Sequence, residues 1–232
     1  YDHSVNGYIP LYRGLASSLN LATVNLGMSL GVKRVTETLY RLGAQRRIQT
    51  VPAILLGAVS LSPLEVAQMY QTIAAGGYRA PLRAIREVMD QAGNPLQRYP
   101  LTVKRTVPEG PVYLLTRAMQ EVVNAGTATY LRSVLPRSLN IAGKTGTTDN
   151  LRDSWFAGYD GEKLAVVWMG RDDNQPMGLS GASGAMQVWS GLFASAGAVA
   201  QQPAKADGIE WYRVDRASGG LADKGCKDTV QL

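Results

Sequence analysis

Hydrophobic spacing along the chain changes period more than once. From Leu21 to Leu30, and again at Val32, Val35, Leu39 and Leu42, apolar residues recur at helical steps, which predicts two helices, the second stopped by Gly43. Ser62-Pro63-Leu64-Glu65 predicts another helix start, with a serine cap, proline at the first helical position and glutamate closing a capping box. Val66, Met69, Tyr70 and Ile73 form its expected core stripe, and Gly76-Gly77 stop it. From Pro81 to Tyr99, two strand-like pieces flank the turn cluster Asp90 to Asn94, predicting a hairpin. The helical step returns at Val112, Leu115, Met119 and Val122 and ends near Gly126.

Strand-like runs follow. One is Leu139 to Ala142, leading into Lys144; the next are Ser154 to Tyr159 and Leu164 to Met169, with Asp160-Gly161 as a hairpin turn signal between them. The stretch from Gly184 to Ala200, rich in small and apolar residues, predicts a helix covering the sheet. Residues 1–17 read as a lead-in segment with turn residues at Asn6-Gly7 and Arg13-Gly14, and residues 201–232 as a polar peripheral tail. Helices first, then an antiparallel sheet with a covering helix, is an α+β pattern: a helical subdomain beside a sheet subdomain, with a ligand cleft expected between them.

A chain of 232 residues, 45% of them apolar, buries a real core. It begins at Tyr1 and reads as a piece of something longer. No apolar run reaches the ~18 residues of a membrane span; the run from Val51 to Leu64 is short and broken by Pro52 and Pro63. The net charge of +6 is spread over scattered Lys and Arg. The densest pair, Arg46-Arg47, lacks interleaved aromatics, so the basic balance reads as solvated surface and not as a nucleic-acid interface. An anionic cell-wall polymer is compatible with it. The single histidine and single cysteine exclude more. His3 is the only histidine a Ser-His-Asp triad could use, a Cys/His zinc site lacks ligands, and Cys226 has no partner for a disulfide. Nothing calls for a metal or a cofactor.

The candidate chemistry lies at Lys144-Thr145-Gly146-Thr147-Thr148. An ammonium and a hydroxyl side by side can hold a carboxylate, a glycine admits another backbone, and the Thr147 N–H can face a developing oxyanion. Far upstream, Ser18-Leu19-Asn20 stands at a helix start, where Ser18 can relay a proton and Asn20 can hold a substrate amide; a plain helix cap is the alternative reading. A second Ser-Leu-Asn at residues 138–140 runs into the Lys144 strand itself and cannot face it across a cleft. Gly143-Lys144-Thr145 also matches the end of a phosphate-binding loop, but Ser138 replaces the first glycine and a strand follows where a helix is needed, so a nucleotide hydrolase is the weaker reading.

Together with Ser17 to Met28, Pro52 to Ala58, Pro63 to Gln68, Trp155 to Gly158 and Trp168 to Pro176, these motifs resemble the transpeptidase domain of class A high-molecular-weight penicillin-binding proteins, most of all the bifunctional 1b kind of Gram-negative bacteria. The resemblance runs from near residue 11 to about 190, the C-terminal part of such a domain. It implies a penicillin-binding and β-lactamase-like fold and a serine acyl-enzyme mechanism. The substrates would be peptidoglycan stem peptides: a donor ending in D-alanyl-D-alanine and an amine acceptor. It also implies trapping by β-lactams, and a glycosyltransferase domain and membrane anchor outside this chain, at the periplasmic face of the inner membrane. By position, Ser18, Asn20, Lys144 and Thr147 take catalytic roles, and Thr145, Gly146 and Thr148 bind substrate. One departure matters: no serine here has lysine three residues on, so the nucleophilic Ser-x-x-Lys is expected before Tyr1. A non-catalytic sensor of the same fold, or a hydrolytic relative, is the alternative; the Ser-Asp-Asn of class A β-lactamases is Ser-Leu-Asn here.

Overall fold

The computed structural model describes residues 7–215, 220–223, 225 and 229–231. His3, Asn6 and Cys226 lie outside them. The chain opens with α1 (Leu11–Ala16), α2 (Asn20–Leu30) and α3 (Val32–Leu42), followed by a 3-10 turn (Pro52–Leu56) and α4 (Pro63–Ala74). The strand pair β1 (Tyr78–Arg79) and β4 (Lys104–Arg105) encloses the exposed hairpin of β2 (Glu87–Met89) and β3 (Pro95–Arg98). Next come α5 (Glu109–Ala125) and α6 (Leu131–Val134), then β5 (Ala142–Thr147), β6 (Asp153–Tyr159) and β7 (Leu164–Gly170). These three strands form an antiparallel sheet in the order β5-β6-β7. The chain closes with α7 (Ala185–Ala196) and a small pair, β8 (Arg213–Asp215) with β9 (Thr229–Gln231).

The architecture is the expected α+β, with α4 and α5 on one side of the sheet and α7 on the other. The core lies on both sides of β6. Phe156, Trp189, Phe193 and Met186 fill the α7 side, while Tyr159, Ala142, Val112, Met119 and Ile73 fill the helical side. Local signals act as read: Ser62 accepts the Glu65 N–H while Glu65 accepts the Ser62 N–H at 2.8 Å, closing the capping box of α4. Met69 and Ile73 of the α4 stripe are buried, whereas Val66 and Tyr70 are only partly so. Asp160 turns the β6–β7 hairpin by accepting the Glu162 and Lys163 N–H groups, and its other oxygen accepts Val199 N–H at 2.9 Å. Burial works against its charge, yet these backbone donors outweigh it and hold the carboxyl below its ordinary range.

Three expectations change. The lead-in is not a turn at Arg13-Gly14: both residues lie in α1, and Gly14 is buried where Ile9 and Ala22 close in. The run Leu139 to Ala142 is not a strand throughout; Arg137–Leu139 is a 3-10 turn, Asn140 is left-handed, and extension begins at Ala142. The covering helix stops at Ala196, with Gly197 at positive φ. Beyond residue 200 the chain still packs on the body, because Gln201 is buried, accepts the Gln120 amide at 2.7 Å and donates its N–H to Leu139 at 2.9 Å.

Ser62→Ala removes an N-cap acceptor and should lower stability by about 1 kcal/mol with the fold unchanged. Urea unfolding followed by circular dichroism measures it; an unchanged midpoint would show that the Pro63 start suffices alone.

Candidate active site

Ser18 is placed by the end of α1. Its N–H donates to Leu15 at 3.2 Å and the next N–H, of Leu19, donates to Gly14 at 2.9 Å, which is the paired bonding of a Schellman helix end. Ser18 therefore occupies the left-handed position that glycine usually takes, at φ 54°. It does not cap the following helix: α2 starts at Asn20, its N-cap is Leu19, and no side chain caps it. The loop after α5 then fixes this end. Thr127 donates its N–H to the Ala16 carbonyl at 3.1 Å, and an added Cβ on Gly126 would sit 2.1 Å from that same oxygen. Only glycine lets the two segments approach.

Lys144 reaches out from the middle of β5. Its ammonium donates to the Ser18 hydroxyl at 3.0 Å and to the Thr145 carbonyl at 3.0 Å. The two motifs, 126 positions apart, thus meet directly. Burial strips water from the lysine and lowers its pKa to about 8. The Thr145 hydroxyl lies 2.7 Å from the Thr127 hydroxyl. Asn20, half-buried two residues beyond Ser18, makes no side-chain hydrogen bond among the described residues.

The ladder parity decides where Thr147 points. Thr148 N–H donates to Asp153 at 3.3 Å, so residues 148 and 153 form a hydrogen-bonded pair, and Thr147 opposite Ser154 forms the non-bonded kind. The Thr147 N–H and C=O therefore face away from β6. Because β5 is the edge strand, that direction is the open rim beside Lys144. The Thr147 hydroxyl is turned elsewhere and accepts Gly181 N–H at 2.9 Å. Gly146 is held between Trp155 and Gly181; a Cβ on Gly181 would lie 2.6 Å from the Gly146 carbonyl oxygen. Thr148 does not join the cluster through its side chain, which donates to Asp153 at 2.9 Å and accepts the Asp153 N–H at 2.8 Å to close the strand end.

The phosphate-loop reading fails on geometry. Lys144 lies inside a strand, and the next element is a short 3-10 turn at Asp149–Leu151 leading into β6. The second Ser-Leu-Asn sits where β5 begins, at the end away from Thr147. A cavity of about 460 Å³ lined by Ile73, Glu109, Thr116, Tyr159 and Gln201 contains none of the motif residues. Thr127 escaped the sequence reading because its contacts are long-range; a threonine directly after a helix-stopping glycine was the one local signal.

The family model "Penicillin binding protein transpeptidase domain" matches residues 1–186. The chain belongs to the penicillin-binding protein transpeptidase family. It is 49% identical over 191 residues to penicillin-binding protein 1B of Vibrio cholerae and 47% identical over 194 residues to that of Escherichia coli, covering 82% and 83% of this chain. It spans only 24% and 23% of the length of those relatives. The crystal structure of penicillin-binding protein 1A from Haemophilus influenzae superposes with a TM-score of 0.88 at 22% identity, over 97% of this chain and 40% of that one, and so shares the penicillin-binding fold.

Two outcomes are expected. Ser18→Gly relieves a left-handed serine and should raise stability by about 1 kcal/mol in a thermal melt; a fall would mean that the Lys144 bond outweighs the backbone strain. Lys144 is charged in both folded and unfolded states below pH 8, where its burial cost is fully felt, and the folded state sheds its proton first as pH rises towards the ordinary 10.5. Stability should therefore gain from this group across that window, and Lys144→Met should flatten the gain when unfolding midpoints are compared at pH 7 and pH 10.

Proposed function

We propose that this domain performs the acyl transfer that crosslinks peptidoglycan stem peptides, within a larger glycosyltransferase and transpeptidase at the periplasmic face of the inner membrane. The observation that carries this reading is the 3.0 Å bond from Lys144 to Ser18 beside an open strand edge. No serine of this chain has lysine three residues on, so the nucleophile and its lysine come from a Ser-x-x-Lys in polypeptide before Tyr1. No helix among the described residues is long and apolar enough to cross a membrane, so the anchor too would lie elsewhere.

The residues divide the work by position. Lys144 and Thr145 take the terminal carboxylate of the donor; charge-assisted bonds of this type contribute about 1.5–3 kcal/mol each. Asn20 holds a donor backbone amide, and Gly146 leaves room for the donor to lie along β5. The serine oxygen attacks the penultimate D-alanyl carbonyl, and the oxyanion draws on the outward Thr147 N–H, a kind of donor worth on the order of 10²–10³ in rate. Ser18, already in contact with Lys144, passes the serine proton to the departing D-alanine nitrogen as the C–N bond breaks. An amine from a neighbouring stem then attacks the ester, forms the crosslink and frees the serine. β-Lactams carry the same carboxylate and strained carbonyl and stop at the ester.

A fluorescent penicillin should label the complete polypeptide, with Ser18→Ala and Ser18→Gly lowering the acylation rate by about 10²-fold. No labelling of the complete wild-type protein would leave only a non-catalytic sensor of this fold. Incubation with stem-peptide substrates should give crosslinked dimer; free tetrapeptide alone would make the enzyme a carboxypeptidase. Because the carboxylate needs charged Lys144, acylation should weaken as pH rises through about 8, and Lys144→Arg should move that limb upward.

A further inference from the structure

Thr127 lies outside both motifs yet touches the groups that hold each of them. Its N–H anchors the Ala16 carbonyl two residues before Ser18, at 3.1 Å. Its hydroxyl stands 2.7 Å from that of Thr145. We propose that the Thr127 hydroxyl is a positioning residue for carboxylate recognition, acting through Thr145. The inference rests on the acyl-transfer reading above.

The argument is one of proton count. A hydroxyl donates one hydrogen bond and accepts others. Between two hydroxyls one must donate, and the direction decides what Thr145 has left. If Thr145 donates to Thr127, its proton is spent and only lone pairs face the open edge, which repels a carboxylate. If Thr127 donates to Thr145, the Thr145 proton is free for the carboxylate, and the donated bond makes it a better donor. A bound anion selects the second arrangement, because a bond to a charged acceptor is the stronger one. The Thr127 N–H is already committed to Ala16, and half-burial at the end of α5 keeps the residue from swinging away. Valine at this position preserves shape and the main-chain bond but cannot donate. Serine keeps the donor.

The test compares benzylpenicillin with its methyl ester on the complete polypeptide, with acylation rate constants read by competition against fluorescent penicillin. Thr127→Val should slow acylation by the free acid about tenfold, leave the ester within about twofold, and Thr127→Ser should restore the acid rate. If the valine variant does not fold, judged by its melting temperature, Thr127→Ala makes the same comparison. Equal loss on acid and ester would mean a merely structural role and overturn the proposal, as would no loss on either, or a serine variant as slow as valine. A wild-type protein that takes no label defeats the acyl-transfer reading and this proposal with it. A labelled wild type with an indifferent Thr127 defeats this proposal alone.

Discussion

The hydrogen bond from Thr127 N–H to the Ala16 carbonyl is the constraint from which the site follows. A helix of six residues, as α1 is, cannot hold its own shape in water. Its end is braced because α5, seventeen residues long and packed on the sheet, stops directly against it. Gly126 makes that approach sterically possible, and the Schellman turn then has one place to put Ser18. Since α5 also packs on β5, the same helix sets the distance between Ser18 and Lys144. The two motifs are thus joined through an element that carries neither.

The electrostatics follow from that juxtaposition. A lysine drawn into a sheet edge loses hydration, and without acceptors it would turn outwards or stay neutral. Here it has two oxygens at 3.0 Å, one from Ser18 and one from its own neighbour's carbonyl. Neither is charged, which is why burial dominates and the pKa falls to about 8 and not back up. Among the described residues the acceptors of this ammonium are these two neutral oxygens, with no carboxylate beside them.

Much of this was legible in sequence because the signals were local. The capping box at Ser62, the stop at Gly43 and the Asp160 hairpin each depend on residues within a few positions of one another, and each forms as read. The pairing of Ser18 with Lys144 was legible for a different reason: the residue types at both places suit one chemistry, and the second Ser-Leu-Asn, at residues 138–140, runs into the Lys144 strand itself. What failed was wherever tertiary contact overrode a local preference. Arg13-Gly14 looks like a turn, yet close packing by Ile9 and Ala22 makes a small residue fit inside a helix. A serine before an apolar helix looks like an N-cap, yet the turn that ends α1 claims it first. Thr127 meets Thr145 across 18 positions with no periodicity to announce it.

An open strand edge is ordinarily a hazard, since unpaired N–H and C=O groups invite other strands. In β5 the hazard is bounded on every side but one. The β6 ladder takes one edge, and the 180–184 segment covers the back, with Gly181 donating to the Thr147 hydroxyl and Ser154 donating to Ser180 while accepting from Ala185. The far end is shut by the Thr148–Asp153 pair and by two left-handed residues, Asn150 at φ 59° and Leu151 at φ 54°. A leucine there is strained, and it is held by donating to Thr148 and accepting from Met177. The strain is spent on ending the strand just past Thr147. By the ladder parity, the main-chain groups of Thr145 and Thr147 are the ones that face the open side of this short edge, and the Thr145 carbonyl there accepts the Lys144 ammonium.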